Sequence, residues 1–528
     1  MAEKGAPLAS SASTIAASVI AGDVSVGEVL AEHVARHVDS AAALNALVQP
    51  CHAAARREAA RLEASLREDG AGGPLAGVPA SVKECFGVTG LVTSLGIPAR
   101  RQAVDVADAP IVARLRQAGA IVVGKANVPQ AMYLHETDNP VWGRTQHPSD
   151  RSRGPGGSSG GDAALVAAGV VPLAVGTDLA GSIRQPAHAC GIAGFLPRSV
   201  VMGDGGAFDT QPHLEVVRPR AGLLAREVGD LALAIEALAG TTRGQPPAAS
   251  GATVVAETEG RPAGACGRGL RIAWWDDAGV IEPSPAVRRA VHEAVGHLAR
   301  QGVEAVRLDG SLATEAAWLL LAVLSADGGA DIRGLFAGTR PIPPVATLLR
   351  LAAIPAWLRP ILAVACRAAG AVVEAQGLRS TGPRGGAAFA RLRERIDDFA
   401  TRFAAAMAPY DAVVCPVSAL PALLHGTAAR LVLAASPCLL ANLLDLPAGT
   451  VPVTRVLPEE EAGRRRSRDR VVRAAAAVDR GSRGLPVGVQ VVGGLKRGAV
   501  AAPLQPERDV LSVMRLIERG RASAANVG

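Results

Sequence analysis

The sequence predicts an α/β fold in which helices cover both faces of a central sheet. Three segments carry that expectation, because each couples a helical pattern to an apolar run of strand length. Residues 108–118 form an amphipathic pattern that leads into Ala120-Ile121-Val122-Val123-Gly124-Lys125. The alanine-rich stretch 162–169 leads into 170–175, and the strand-like 270–275 is followed by a helical pattern over 284–301.

Taken in order, residues 12–69 read as helices packed on the outside of the core. Ser25-Val26-Gly27-Glu28 supplies a capping box within them. A division follows into an N-terminal helical region, 1–70, and a main domain, 71–528. Strand character begins at Leu75. Beyond the segments already named, 199–215 reads as loop, 221–239 as a helix, and 243–269, rich in Gly, Pro, Ala and Thr, as a surface excursion. Residues 341–375 form an apolar helical hairpin, interrupted by Arg350, Arg359 and Arg367 and broken by Pro355 and Pro360. Strands are expected at 410–416, 450–455 and 484–491, and 457–483, with Glu459-Glu460-Glu461 and Arg464-Arg465-Arg466, as a solvated insertion.

Composition narrows the function classes. The 528 residues carry a net charge of +7, but the basic residues are scattered, with no basic run interleaved with aromatics, so no nucleic-acid partner is expected. Seven cysteines without regular spacing do not make a disulfide framework. No charged segment followed by an apolar core marks a signal peptide, and no apolar run reaches the roughly 18 residues of a spanning helix. The expected location is the cytoplasm. His33 and His37 stand four apart without a third ligand, so a solvated or capping role is expected of them, and no metal site.

The densest chemistry lies in 154–186, where two serine-bearing glycine turns, Gly156-Gly157-Ser158-Ser159-Gly160-Gly161 and Thr177-Asp178-Leu179-Ala180-Gly181-Ser182, flank a small-residue helix and a strand. Glycine serves where backbone bends sharply or approaches a ligand. Two hydroxyls beside unobstructed N–H groups suit acyl transfer, in which a serine attacks a carbonyl and N–H donors stabilise the oxyanion. A base is also needed. Lys83, in the apolar run Gly77-Val78-Pro79-Ala80-Ser81-Val82-Lys83-Glu84-Cys85-Phe86, would lose hydration and with it some hold on its proton. Three other readings stay open at this point: a phosphate cradle, although GxxxxGK[ST] is absent; a G-x-S-x-G elbow with Ser159 as nucleophile; and a plain glycine loop.

These motifs resemble the amidase signature family, over roughly residues 70 to 515. The resemblance implies that fold, with a mixed central sheet, and a triad of Ser182 as nucleophile, Ser158 as bridging serine and Lys83 as terminal base. It also implies a cis Gly157–Ser158 peptide, an oxyanion hole from the backbone N–H groups of Leu179, Ala180, Gly181 and Ser182, and no cofactor. VKECF, NVPQAM and NPVWG look like the fatty acid amide hydrolase branch; there Met132 would line the acyl side, with Ser159 beside the substrate. Three departures stand out: Ala180 replaces a usual glycine, GFLPR stands where GLKPT is common, and GLLAR replaces GPxAR.

The expected activity is that of a serine amidase on hydrophobic or fatty N-acyl amides. The hairpin occupies the place of that branch's membrane-binding cap, so the resemblance implies peripheral membrane contact through 345–366, with a buried hairpin or a homodimer contact as the alternative. Two other functions compete: the amidase component of a tRNA-dependent amidotransferase, and a non-catalytic binding protein on the same fold.

Overall fold

Among the described residues of the computed structural model, eleven strands form one mixed sheet, and a two-stranded ribbon stands apart from it. The strands are β1 (Leu47–Pro50), β2 (Pro79–Lys83), β3 (Ile121–Ala126), β4 (Asp138–Asn139), β5 (Gly143–Arg144), β6 (Leu173–Asp178), β7 (Ala193–Leu196), β8 (Arg220–Ala225), β9 (Arg271–Trp274), β10 (Glu304–Arg307), β11 (Ala412–Pro416), β12 (Ala448–Arg455) and β13 (Pro486–Val492). The sheet runs β1-β3-β2-β6-β8-β7-β12-β13-β11-β9-β10, and β4 pairs β5. Parallel pairs β3/β2/β6 and β11/β9/β10 lie toward its two ends, separated by antiparallel β8, β7, β12 and β13. The described residues are 11–212, 214, 216–240, 267, 269–277, 279–495 and 504–525.

The inner strands are buried from end to end because both their faces are covered. Every residue of β2, β3, β6, β11 and β13 is buried. The helix Pro285–Arg300 buries Ala286, Val287, Ala290, Val291, Ala294 and Leu298, a helical spacing that turns one stripe toward the sheet. The capping box forms as expected: Ser25 Oγ accepts from the Glu28 N–H at 3.1 Å, and Glu28 Oε2 accepts from the Ser25 N–H at 2.9 Å.

The structure corrects several expectations. The N-terminal region is not all helical: β1 follows the helix Val26–Leu44 and joins the sheet edge beside β3. GLLAR belongs to a strand, since β8 ends at Ala225 and the helix begins at Val228; a short run of Leu and Ala fits either state, and pairing on both sides decides it. His33 and His37 are neither solvated nor capping groups. Both are buried, with His33 Nδ1 2.8 Å from the Val170 carbonyl oxygen and the His37 ring edge-on to His52. The segment 457–483 is docked: Glu460 is buried against Arg289 at 2.7 Å, Arg464 pairs with buried Asp479 at 2.7 Å, and 470–479 is a helix. Residues 199–215 include a short helix, Ser199–Met202. Most of the expected excursion at 243–269 lies outside the described residues.

The hairpin resolves into three helices, Pro343–Ala352, Arg359–Ala368 and Val372–Ser380, hereafter the cap. Proline opens the first two, where its missing N–H removes no helical hydrogen bond. Arg359, expected to interrupt the apolar surface, is instead buried and donates to the carbonyls of Ile354 at 2.9 Å and Thr381 at 2.8 Å, tying the turns together. No described helix is long and apolar enough to cross a membrane.

Candidate active site

β2 delivers Lys83 to the middle of the molecule, fully buried. Its Nζ donates to Ser158 Oγ at 2.7 Å, Thr177 Oγ1 at 2.8 Å and the Thr177 carbonyl at 3.3 Å. Burial strips solvent from the ammonium and lowers the Lys83 pKa below its ordinary value, against the opposing pull of Cys85, Asp162 and Asp178. The Gly157–Ser158 peptide is cis. Gly157 has no room for a side chain: a Cβ there would lie 2.7 Å from the Leu134 carbonyl oxygen.

Ser182 sits just past the end of β6, on the turn before the helix Arg184–Cys190. Its carbonyl accepts from the Ser159 N–H at 3.1 Å, which locks the two glycine turns together. The turn itself is shaped by Asp178, whose carboxylate accepts from the Gly181 N–H at 2.7 Å and the Ile183 N–H at 3.1 Å. Arg184 holds that carboxylate from the other side at 3.0 Å, in an ion pair with no solvent exposure, and reaches Asn442 Oδ1 at 2.6 Å, the Cys438 carbonyl at 2.8 Å and Gln490 Oε1 at 3.1 Å. Burial alone would raise the Asp178 pKa, but the guanidinium and the hydrogen bonds hold it well below the usual carboxylate range.

Of the four N–H groups expected to form an oxyanion hole, Gly181's is therefore committed to Asp178. Among the described residues the N–H groups of Leu179, Ala180 and Ser182 have no protein acceptor. Ser159 also differs from expectation. It is fully buried, its hydroxyl reaches the Thr177 carbonyl at 3.4 Å, and it is absent from the cavity wall, so it neither lines a substrate site nor presents an accessible nucleophile. No hydrogen bond joins the hydroxyls of Ser158 and Ser182.

Ser182, Leu179 and Ala180 line a largely apolar cavity of about 800 Å³, within the range of ligand pockets. Met132 lines it too. The Asn139 side chain binds Asn127 Oδ1 at 2.8 Å and the Val128 carbonyl at 2.7 Å, stitching NPVWG onto NVPQAM and so fixing the Met132 segment. Leu348, Leu351 and Leu378 of the cap line it as well. Sequence reasoning missed five contributors. One is His135, which lines the cavity and whose pKa burial lowers to about 4, so its ring is neutral near pH 7. The others are Thr177, already visible in the second glycine turn, and Arg470, Val471 and Ala474 from the supposedly solvated insertion, which no local signal marks. Among the described residues no group of three or more His, Cys, Asp or Glu could hold a metal ion.

The comparisons agree with this architecture. A family model described as Amidase matches residues 28–497. The chain is 33% identical over 473 residues to "Fatty-acid amide hydrolase 1" of Sus scrofa, covering 87% of this chain and 78% of that one. It is 34% identical over 306 residues to a glutamyl-tRNA(Gln) amidotransferase chain of Rhodopirellula baltica, covering 57% and 59%. A solved "Fatty acid amide hydrolase" superposes with a TM-score of 0.78 at 20% identity over 98% of this chain and 86% of that one, which shows the fold. These findings define an amide-hydrolysing enzyme. The chain belongs to the amidase family, and within it is similar to the fatty acid amide hydrolases.

Proposed function

We propose that this enzyme hydrolyses hydrophobic N-acyl amides, fatty acyl ones among them, through an acyl-enzyme on Ser182. The observation that carries the reading is the 2.7 Å contact between buried Lys83 and Ser158, beside a Ser182 that lines an apolar cavity. Neutral Lys83 takes the Ser158 proton as Ser158 takes that of Ser182, and Ser182 Oγ attacks the amide carbonyl. The N–H groups of Leu179, Ala180 and Ser182 receive the oxyanion. The C–N bond then breaks as the proton returns along the same path to the departing amine, and water repeats the cycle to release the acid.

Two features support a hydrophobic acyl group: the size of the cavity and the leucines that face it from the cap. The cap also exposes Leu351, Trp357, Ile361 and Val364, which supports a peripheral contact between this surface and a lipid bilayer. Incubation with a long-chain fluorophosphonate followed by intact-mass spectrometry tests the nucleophile. One adduct on the parent and none on Ser182→Ala is the expected result, and an adduct that persists in the variant overturns it. A panel of amides that shows no gain from acyl chain length would refute the substrate class. Activity only in the presence of a second protein would point instead to one component of an amidotransferase.

A further inference from the structure

Two parallel contacts join β2 to the first glycine turn and the helix that follows it, Gly160–Ala167. One is Lys83 to Ser158; the other, two residues earlier on the same face of the strand, is Ser81, whose hydroxyl donates to Asp162 Oδ1 at 2.8 Å. Asp162 is fully buried, and its Oδ2 has no hydrogen-bond partner. A buried carboxylate left half satisfied is costly, so it asks for a reason.

The charges around Lys83 narrow that reason. Two residues on, in the turn that follows β2, burial pushes the Cys85 thiol up to about 11, so it is uncharged near pH 7. At the end of β6, Asp178 is ionised but compensated by Arg184 at 3.0 Å. His135, on the segment beside the second turn, is neutral. Asp162 remains as the ionisable neighbour without a countercharge other than Lys83 itself.

We propose that Asp162 is a positioning residue that sets how readily Lys83 releases and regains its proton. An ionised Asp162 holds the lysine as ammonium, and a neutral Asp162 frees the amine that can act as base. Burial raises the Asp162 pKa, against the opposing effects of the Ser81 hydrogen bond and Lys83, which brings its carboxylate closer to protonation. The inference rests on the role of Lys83 proposed above.

The test is the pH profile of kcat/KM on a decanoyl p-nitroanilide for the parent, Asp162→Asn and Ser81→Ala. Removing the negative charge lowers the affinity of Lys83 for its proton, so the acidic limb of Asp162→Asn should move to lower pH. Measured on that limb, its kcat/KM relative to the parent should exceed the same ratio on the plateau severalfold. Ser81→Ala destabilises the ionised carboxylate and should move the limb the same way by less; it also covers the case in which Asp162→Asn does not fold. A limb that stays at the parent's pH in either folded variant overturns the proposal, whatever happens to the plateau. Failure of the base reading itself looks different: there Lys83→Met would keep the parent's limb.

Discussion

Replacing Arg184 with methionine tests the network under the second glycine turn. Methionine fills a similar apolar volume, so the variant mainly removes charge and hydrogen bonds, not packing. Asp178 then keeps the N–H groups of Gly181 and Ile183 and the Asn442 amide, but loses the cation paired with it 3.0 Å away in a site without solvent. Breaking a buried pair from one side costs about 3–5 kcal/mol. Unfolding entropy of about 2 cal/mol/K per residue, over 528 residues, gives about 1 kcal/mol/K, so the melting temperature should fall by about 3–5 °C. Arg144→Met removes an exposed 2.8 Å pair with Asp138, worth about 0–1 kcal/mol, and should shift it by no more than about 1 °C.

The pH dependence of the difference supplies a second readout. In the parent the folded Asp178 pKa lies below its unfolded value, so the pair's contribution is present above the unfolded pKa, about 4, and is lost as pH falls through the folded one. In the variant, unopposed burial raises the folded pKa above the unfolded value, and protonation relieves the stranded charge. The gap between parent and variant should therefore narrow as pH falls from 8 to 5 in differential scanning calorimetry. A loss of under about 1 °C at pH 8, or a gap independent of pH, would refute the account of this network.

Other predictions follow from packing and surface. Gly161→Ala would put a Cβ 2.4 Å from the Asn127 backbone nitrogen and 2.6 Å from its carbonyl oxygen, atoms that cannot step aside; a loss of about 1–3 kcal/mol by urea unfolding, with lower activity, is expected. Gly296→Ala, inside a helix with only the flexible end of Arg300 at 3.5 Å, should instead gain about 0.5–1 kcal/mol. Arg359→Ala unties the turns of the cap; KM for long-chain amides should rise while short acyl amides are turned over as before, and limited proteolysis should newly cut between 351 and 382. Trp357→Ala combined with Ile361→Asp, at residues 72% and 60% exposed, should reduce co-sedimentation with phosphatidylcholine liposomes, and unchanged partitioning would sink the membrane contact.

The glycine turns were legible because their chemistry is local. The turn through Gly156 and Gly157 is marked by its glycines, Lys83 within an apolar run already signals a desolvated amine, and the resemblance to the amidase signature family then assigned Ser158 and Ser182 their places in the proposed relay before any coordinates. The strands β3 and β13 were legible for a similar reason, since burial on both faces leaves runs rich in valine and isoleucine. β8 was not, because Leu and Ala fit helix and strand alike until neighbours accept their hydrogen bonds.

The long-range partners were hidden throughout. Arg184 meets Asn442 and Gln490 across 258 and 306 residues, and nothing in local composition encodes such a meeting. The insertion 457–483 read as solvated because charge usually faces water, and Glu459, Arg465 and Arg466 are exposed, but partners elsewhere in the fold, Arg289 for Glu460 above all, let part of it be buried and carry Val471 into the cavity wall. By itself the sequence determined the α/β class, the family resemblance and the identity of the reactive groups, all of which depend on residues near one another in the chain. Only the tertiary structure decided that the Gly181 N–H belongs to Asp178, that Ser159 is sealed away, and that Asp162 is held by Ser81, two residues before Lys83 on the same strand, because burial, and with it the electrostatics of a site, exists only once distant segments have packed together.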